Sequence, residues 1–171
     1  MKNVVEKLRG GGRLSIGRSN EVAKEISGDR KRFAQVFGAM MDEDSVVRMR
    51  AADAIEKASA VKPELLQPFA RQMLHEVAAV EQQEVRWHTA QMLARLRLTP
   101  KERDLAVAIL IEYLEDKSSI VRTFAMQGLA DFAVQDERLR VRVIPILEQL
   151  TNTGSAAMRA RGRKLLKTLH R

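Results

Sequence analysis

Cysteine is absent from this sequence of 171 residues. That excludes disulfides and thiolate metal sites and points to a cytoplasmic setting. Aromatic residues are scarce, at five Phe, one Tyr and one Trp. A core made from such a chain must be packed by Ala, Leu, Val and Met, which favours closely packed helices. Long apolar runs are also missing. No stretch approaches the ~18 apolar residues of a membrane span, and the opening MKNVVEKLRGGG lacks the apolar segment of a secretory signal. No membrane association is expected. Negative charge is in deficit, with 30 Lys+Arg against 22 Asp+Glu and a net charge of +8.

The positive excess sits at the two ends. Residues 1–32 hold nine Lys/Arg against four Asp/Glu, and residues 157–171 hold six against none. The stretch between is slightly acidic. Such ends read either as solvated terminal helices or as contacts for nucleic acid, an acidic protein or another anionic surface.

What the chain does have is repetition. Four segments align without gaps, VRMRAADAI at 47–55, VRWHTAQML at 85–93, VRTFAMQGL at 121–129 and MRARGRKLL at 158–166, with starts separated by 38, 36 and 37 residues. Apolar or small residues fall at offsets 0, +4, +5 and +8, one face of a 3.6-residue helix. Upstream of each lies a second amphipathic stretch, around 33–41, 63–79, 100–115 and 137–150, and the polar turns DEDS, EQQE, DKSS and NTGS separate the two. The unit is a helical hairpin. Thr99-Pro100-Lys101-Glu102 predicts a capped helix start with a capping box, Lys62-Pro63-Glu64 another start, and Pro68 and Pro145 predict kinks.

A paired-helix unit of this length, with an acidic turn followed by V-R-x-x-A-A-x-A-[LI], resembles the HEAT repeat family. The resemblance is carried best by DEDSVVRMRAADAI and DKSSIVRTFAMQGL and covers roughly residues 29–169. It implies an all-α fold, a right-handed α-α superhelix of four helical-hairpin repeats. The expected organisation is one structural domain: an N-terminal helical cap and Gly-rich linker over 1–28, then repeats at about 29–60, 61–98, 99–134 and 135–171. The second unit has Val80 and the fourth Thr153 where the turn acid should stand. The resemblance also gives a structural role to the equivalent arginines Arg48, Arg86, Arg122 and Arg159, in hydrogen bonds between neighbouring turns with Asp42 and Asp116 as partners.

GRLSIGRS at 12–19 comes within one residue of the phosphate-loop pattern G-x-x-x-x-G-K-[ST], with Arg18 in place of lysine. A phosphate loop needs a β-strand before it and a helix N-terminus after it, and MKNVVEKLRGG supplies no strand. The stretch reads as a mobile linker or an anion nest, with Ser19 and Asn20 as caps of a helix over 21–26. His75, His88 and His170 share no metal-ligand spacing, and neither a serine elbow nor a calcium loop occurs. No catalytic residue, metal or cofactor is expected.

Surface is what remains for function. In HEAT-like solenoids the second helix of each pair lines the concave side, where offsets +2, +3, +6 and +10 face away from the core. These positions give a candidate partner-binding face of Met49, Arg50, Trp87, His88, Gln91, Arg95, Phe124, Gln127, Arg161 and Lys164. Trp and Arg are the residue types that anchor binding hot spots. The contrary reading tucks Trp87 and Phe124 into the core. Three functions follow: a non-enzymatic adaptor gripping a protein or acidic peptide; nucleic-acid binding through the basic groove and termini; and, since the fold resembles that of HEAT-like DNA alkylation-repair glycosylases, an enzyme. The last fits worst, because Gln91 follows Trp87 by one turn where those enzymes carry an acid. The open ends of a solenoid would also allow a homodimer.

Overall fold

The computed structural model describes residues 3–171, and every regular element among them is helical. They form two compact units, Met1–Arg97 and Leu98–Arg171. The boundary falls between the second and third sequence repeats.

The first unit opens with a 3₁₀ turn, Val4–Leu8, followed by α1 (Ser19–Ile26), α2 (Arg30–Gly38) and α3 (Ser45–Val61). The prolines at 63 and 68 break the next stretch, which the sequence pattern predicts as one helix over 63–79. It consists instead of 3₁₀ turns at Pro63–Leu65 and Gln67–Phe69, a short α4 (Ala70–His75) and a 3₁₀ turn at Val77–Ala79. Each proline lacks an N–H and stands at the start of its own turn. Four residues between two such positions leave no room for an i→i−4 ladder. α5 (Gln83–Met92) and a 3₁₀ turn to Arg95 close the unit.

Within this unit α1 packs on α3 and α3 on α5. Val22, Ile26, Val47, Ala51, Ala54, Ile55, Val85 and Met92 are fully buried, and the alanines let the backbones approach closely. Phe69 stacks on Phe37 with centroids 4.3 Å apart and tilts against Phe33 at 5.8 Å, holding the broken stretch to α2. Val4, Val5 and Leu8 are buried as well. Val4–Leu8 and α1 therefore behave as a shortened further repeat.

The second unit comprises α6 (Pro100–Tyr113), α7 (Ser119–Gln135), α8 (Glu137–Thr153) and α9 (Ala156–Leu169). α7 packs against α6, α8 and α9, and α8 against α9. The predicted capping box is present: Thr99 Oγ1 accepts from the Glu102 N–H at 3.3 Å, and Glu102 Oε2 accepts from the Thr99 N–H at 2.8 Å. The polar turns supply further caps. Asp44, Ser118 and Ser155 accept from the first-turn N–H groups of α3, α7 and α9. α8 runs on through Pro145. Both Pro145 and Val141, whose carbonyl the missing N–H would have met, are solvent-exposed, so water can satisfy that group.

Candidate binding face

The glycine-rich segment is no mobile linker. Arg50, only 2% exposed, drives its guanidinium into the loop and is met by carbonyls alone. Nε donates to Ser15 O at 3.0 Å, Nη1 to Leu8 O at 2.8 Å and to Gly10 O, and Nη2 to Gly12 O at 3.1 Å. A loop that aims carbonyls inward holds a cation, which is the opposite polarity from a phosphate cradle or anion nest. Gly17, at φ +54°, lies so close that a Cβ would stand 2.9 Å from Arg50 Cζ. Ser19 does not cap its helix either. It is buried, and its hydroxyl donates to Asp53 Oδ2.

Arg50 is thus removed from the expected exposed face, and His88 with it. The His88 ring is buried against Trp87, its centroid 5.7 Å from the indole, with Nε2 3.8 Å from Asp53 Oδ1 and Nδ1 3.5 Å from the Gln91 side-chain nitrogen. Burial pushes its pKa below the ordinary histidine value, although the Asp53 and Glu56 carboxylates pull the other way. Lys57 Nζ donates to Asp53 at 2.6 Å. Arg95 spans from α5 back to α3, donating to Glu56 O at 2.8 Å and Ser59 Oγ at 2.9 Å and pairing with the Glu56 carboxylate. Three of the expected face residues in this unit are therefore spent on internal contacts, Arg50 on the loop before α1 and His88 and Arg95 on α3. Trp87, Met49 and Gln91 remain half-buried, so the indole is neither free nor sealed in the core.

The second unit keeps more of its face open. Arg161 lies over the Phe124 ring, 5.4 Å from the centroid, and its Nη1 donates to Gln127 Oε1 at 2.8 Å. Gln127 in turn donates to Asp131 at 2.8 Å. Phe124 is partly exposed and Lys164 fully so. The arrangement is an aromatic ring with a fixed cation on it.

Of the equivalent arginines, Arg48, Arg86 and Arg159 each reach a backbone carbonyl at their turns. Arg48 donates to the carbonyls of Asp42 (2.8 Å) and Glu43 (3.1 Å) and to Gln82 Oε1 (2.7 Å), while Gln82 donates to Ser45 O at 2.9 Å. Arg86 reaches Val80 O at 3.4 Å and Arg159 reaches Gly154 O at 3.2 Å. Arg122 Nε is buried without an acceptor. The Asp42 and Asp116 carboxylates fold back onto the N–H groups of Asp44 and Ser118, and Asp42 also takes Arg9 at 3.1 Å. At the first turn, where the Asp42 carboxylate is engaged by the Asp44 N–H and by Arg9, Arg48 takes the carbonyls beside it.

Sequence reasoning took Ser19 for a helix cap and assigned no role between repeats to Asp53, Glu56, Ser59 or Gln82, although a signal existed. Their bonds to Asp53, His88, Arg95 and Arg48 join residues 34 to 39 apart, one repeat length. Among the described residues no group of three or more His, Asp or Glu could hold a metal ion, and no helix is long and apolar enough to cross a membrane.

Comparison with known proteins adds to this geometry. No curated protein matches the chain. Among solved structures, an engineered protein superposes with a TM-score of 0.62 at 16% identity, over 98% of this chain and 78% of its own. A designed armadillo repeat protein in complex with the peptide (KR)4 gives 0.62 at 14%, over 97% and 80%. A second designed armadillo repeat protein gives 0.59 at 15%, over 97% and 80%. At such identities the likeness is one of fold, that of helical-repeat solenoids. A sequence profile of the HEAT repeat domain matches residues 6–168, starting at the shortened first repeat, and the chain belongs to that family.

Proposed function

We propose that this protein is a non-enzymatic, cytoplasmic scaffold that binds a protein or peptide partner through side chains of its second helices. The fold is one that commonly serves protein binding, and a designed armadillo relative is seen with a peptide. The observation that carries the reading is the Phe124–Arg161–Gln127 cluster, a partly exposed ring with its cation already positioned. A preorganised cation beside an apolar surface suits a segment carrying a carboxylate next to an apolar side chain, since little ordering is left to be done on binding. Lys164 extends the positive charge. In the first unit Trp87, Met49 and Gln91 offer a second half-open apolar patch. Polar residues around it are already paired, so its contribution is contact area rather than charge.

The test is titration of labelled acidic-apolar, basic-apolar and uncharged peptides, read by anisotropy. The acidic-apolar set should bind, and Phe124→Ala or Arg161→Ala should each weaken it by roughly tenfold or more. Equal binding of all three sets, or variants that bind as the parent does, would overturn the assignment.

A further inference from the structure

We propose that the solvent face of α9, with the adjoining first turns of α8, binds the phosphate backbone of a nucleic acid. This surface meets the Phe124–Gln127 cluster only at Lys164, and the inference does not rest on the peptide reading.

Cations occupy the exposed side of α9 without interruption. Arg159, Arg163 and Lys167 follow at four-residue steps, about 6 Å of helix apiece, with Arg171 one step further on. Lys164 stands beside them, and all five are exposed. No Asp or Glu occurs after Glu148. Among the described residues none of these cations pairs with a carboxylate, and Arg159 donates to the Gly154 carbonyl at 3.2 Å. Elsewhere in the chain several basic residues are paired with acids, as Lys7 is with Glu21 and Glu25, Arg18 with Glu21 and Arg103 with Asp136, whereas the α9 cations form a run with no acid among them.

α8 extends the field. Gly162 crosses Thr151 so tightly that a Cβ would overlap the Thr151 hydroxyl, which fixes the register of the antiparallel hairpin. That register sets the first turns of α8 beside the last turns of α9. Arg138 and Arg142, both exposed, thereby lie toward the same end of the hairpin as Lys167 and Arg171, while the neighbouring acid Glu137 is paired with Arg140. Mutual repulsion among so many unneutralised cations is relieved by a polyanion.

The remaining chemistry separates a nucleic acid from other anionic partners. Besides its cations, the exposed side of α9 offers only Ala156, Ala157, Ala160, Thr168 and His170. A protein partner needs an apolar or aromatic anchor at the centre of its interface, and this side lacks one. A phosphate backbone needs none, because affinity comes from charge and counterion release. Insertion into a membrane surface requires a free apolar helix face. That of α9, with Met158, Leu165 and Leu169, is buried against α7 and α8. Affinity that comes from charge alone predicts binding without sequence preference.

The experiment uses the full chain with a fluorescein-labelled strand of about 20 nucleotides, as RNA, as DNA and as duplex DNA, read by anisotropy. Polyglutamate and phosphatidylserine vesicles serve as the competing anions. With about three phosphates neutralised, affinity should fall roughly 40-fold for the duplex and roughly 20-fold for a single strand between about 50 and 200 mM salt. The double charge reversal Arg163→Glu/Lys167→Glu, at two exposed sites, should leave the circular dichroism spectrum and the melt unchanged while lowering the salt slope by about two. Phe124→Ala should leave this binding untouched, which separates the inference from the peptide site. No binding at low salt, binding indifferent to the charge reversal, or tighter capture of polyglutamate or vesicles than of any nucleic acid would each overturn the proposal.

Discussion

Arg50 shows how one residue can fix a segment that contains no regular structure. Its charge is buried without a carboxylate, so its stabilising value lies in hydrogen bonds to four carbonyls and in the loop shape that delivers them. Hydrogen bonds to a charged group contribute about 1.5–3 kcal/mol each in favourable cases, and they are not additive. Arg50→Ala should lower stability by about 2–3 kcal/mol and make the 9–17 segment sensitive to proteolysis, since water replaces the guanidinium only after the loop opens. Gly17→Ala acts from the other side. The left-handed backbone costs a side chain about 1–2 kcal/mol, and the new Cβ would press on Arg50. A Gly17→Ala protein that melts like the parent would show that the loop is free to move away. His88 gives the second residue-scale forecast. Its folded-state pKa is depressed by burial, so the unfolded chain binds a proton at a pH where the folded one does not. The stability tied to neutral His88 is therefore complete above the ordinary histidine pKa and is lost as pH falls below it toward the folded value. Denaturant midpoints at about pH 8 and about pH 5.5 should differ more for the parent than for His88→Gln. An identical acid drop in both proteins would place the sensitivity on other groups.

At the scale of elements, periodicity made the hairpins legible, and turn chemistry made most of their starts legible too. It failed where the decisive partner lay a full repeat away. The offsets that place Arg50 and His88 on an open face are correct for an isolated helix, yet α1 packs along α3 and α5 along its other side, so those offsets meet neighbours instead of solvent. Seeing this from the sequence required recognising Val4–Ile26 as a repeat, and its segments are too short and its loop too glycine-rich to align with the others. The broken stretch from Pro63 to Ala79 is a different case, where two prolines overrode an adequate apolar pattern. Gly162, the small residue at offset +4 of the fourth segment, is a site of close approach, and the hairpin tests that directly. Gly162→Ala would force a Cβ to within 1.9 Å of the Thr151 hydroxyl. Strain of about 1–3 kcal/mol follows, and Thr151→Ala in the same chain should recover most of it. Denaturant melts of the two single variants and the double variant form the cycle that measures this. Simple additivity would mean that the helices separate to accept the methyl group.

At the scale of the molecule, the two units report separately. The sole tryptophan, Trp87, lies in Met1–Arg97, and the sole tyrosine, Tyr113, in Leu98–Arg171, so tryptophan fluorescence follows the first unit while far-ultraviolet circular dichroism follows both. Repeat proteins draw stability from interfaces between neighbouring units, and damage to one interface weakens with distance along the array. Deleting 157–171 removes nearly all of α9, which packs on α7 and α8 and buries Met158, Leu165 and Leu169. Leu165 and Leu169 sit among exposed cations on a helix that has no intrahelical ion pairs to sustain it alone, so packing is what holds α9 in place and what α7 and α8 lose with it. The truncated chain should therefore lose part of its helical signal in a broad, early transition, while Trp87 fluorescence keeps a sharp transition close to that of the parent. If both signals instead fell together in one early transition, the 171 residues would be a single cooperative body, and the division at Arg97 would describe packing density without independent stability.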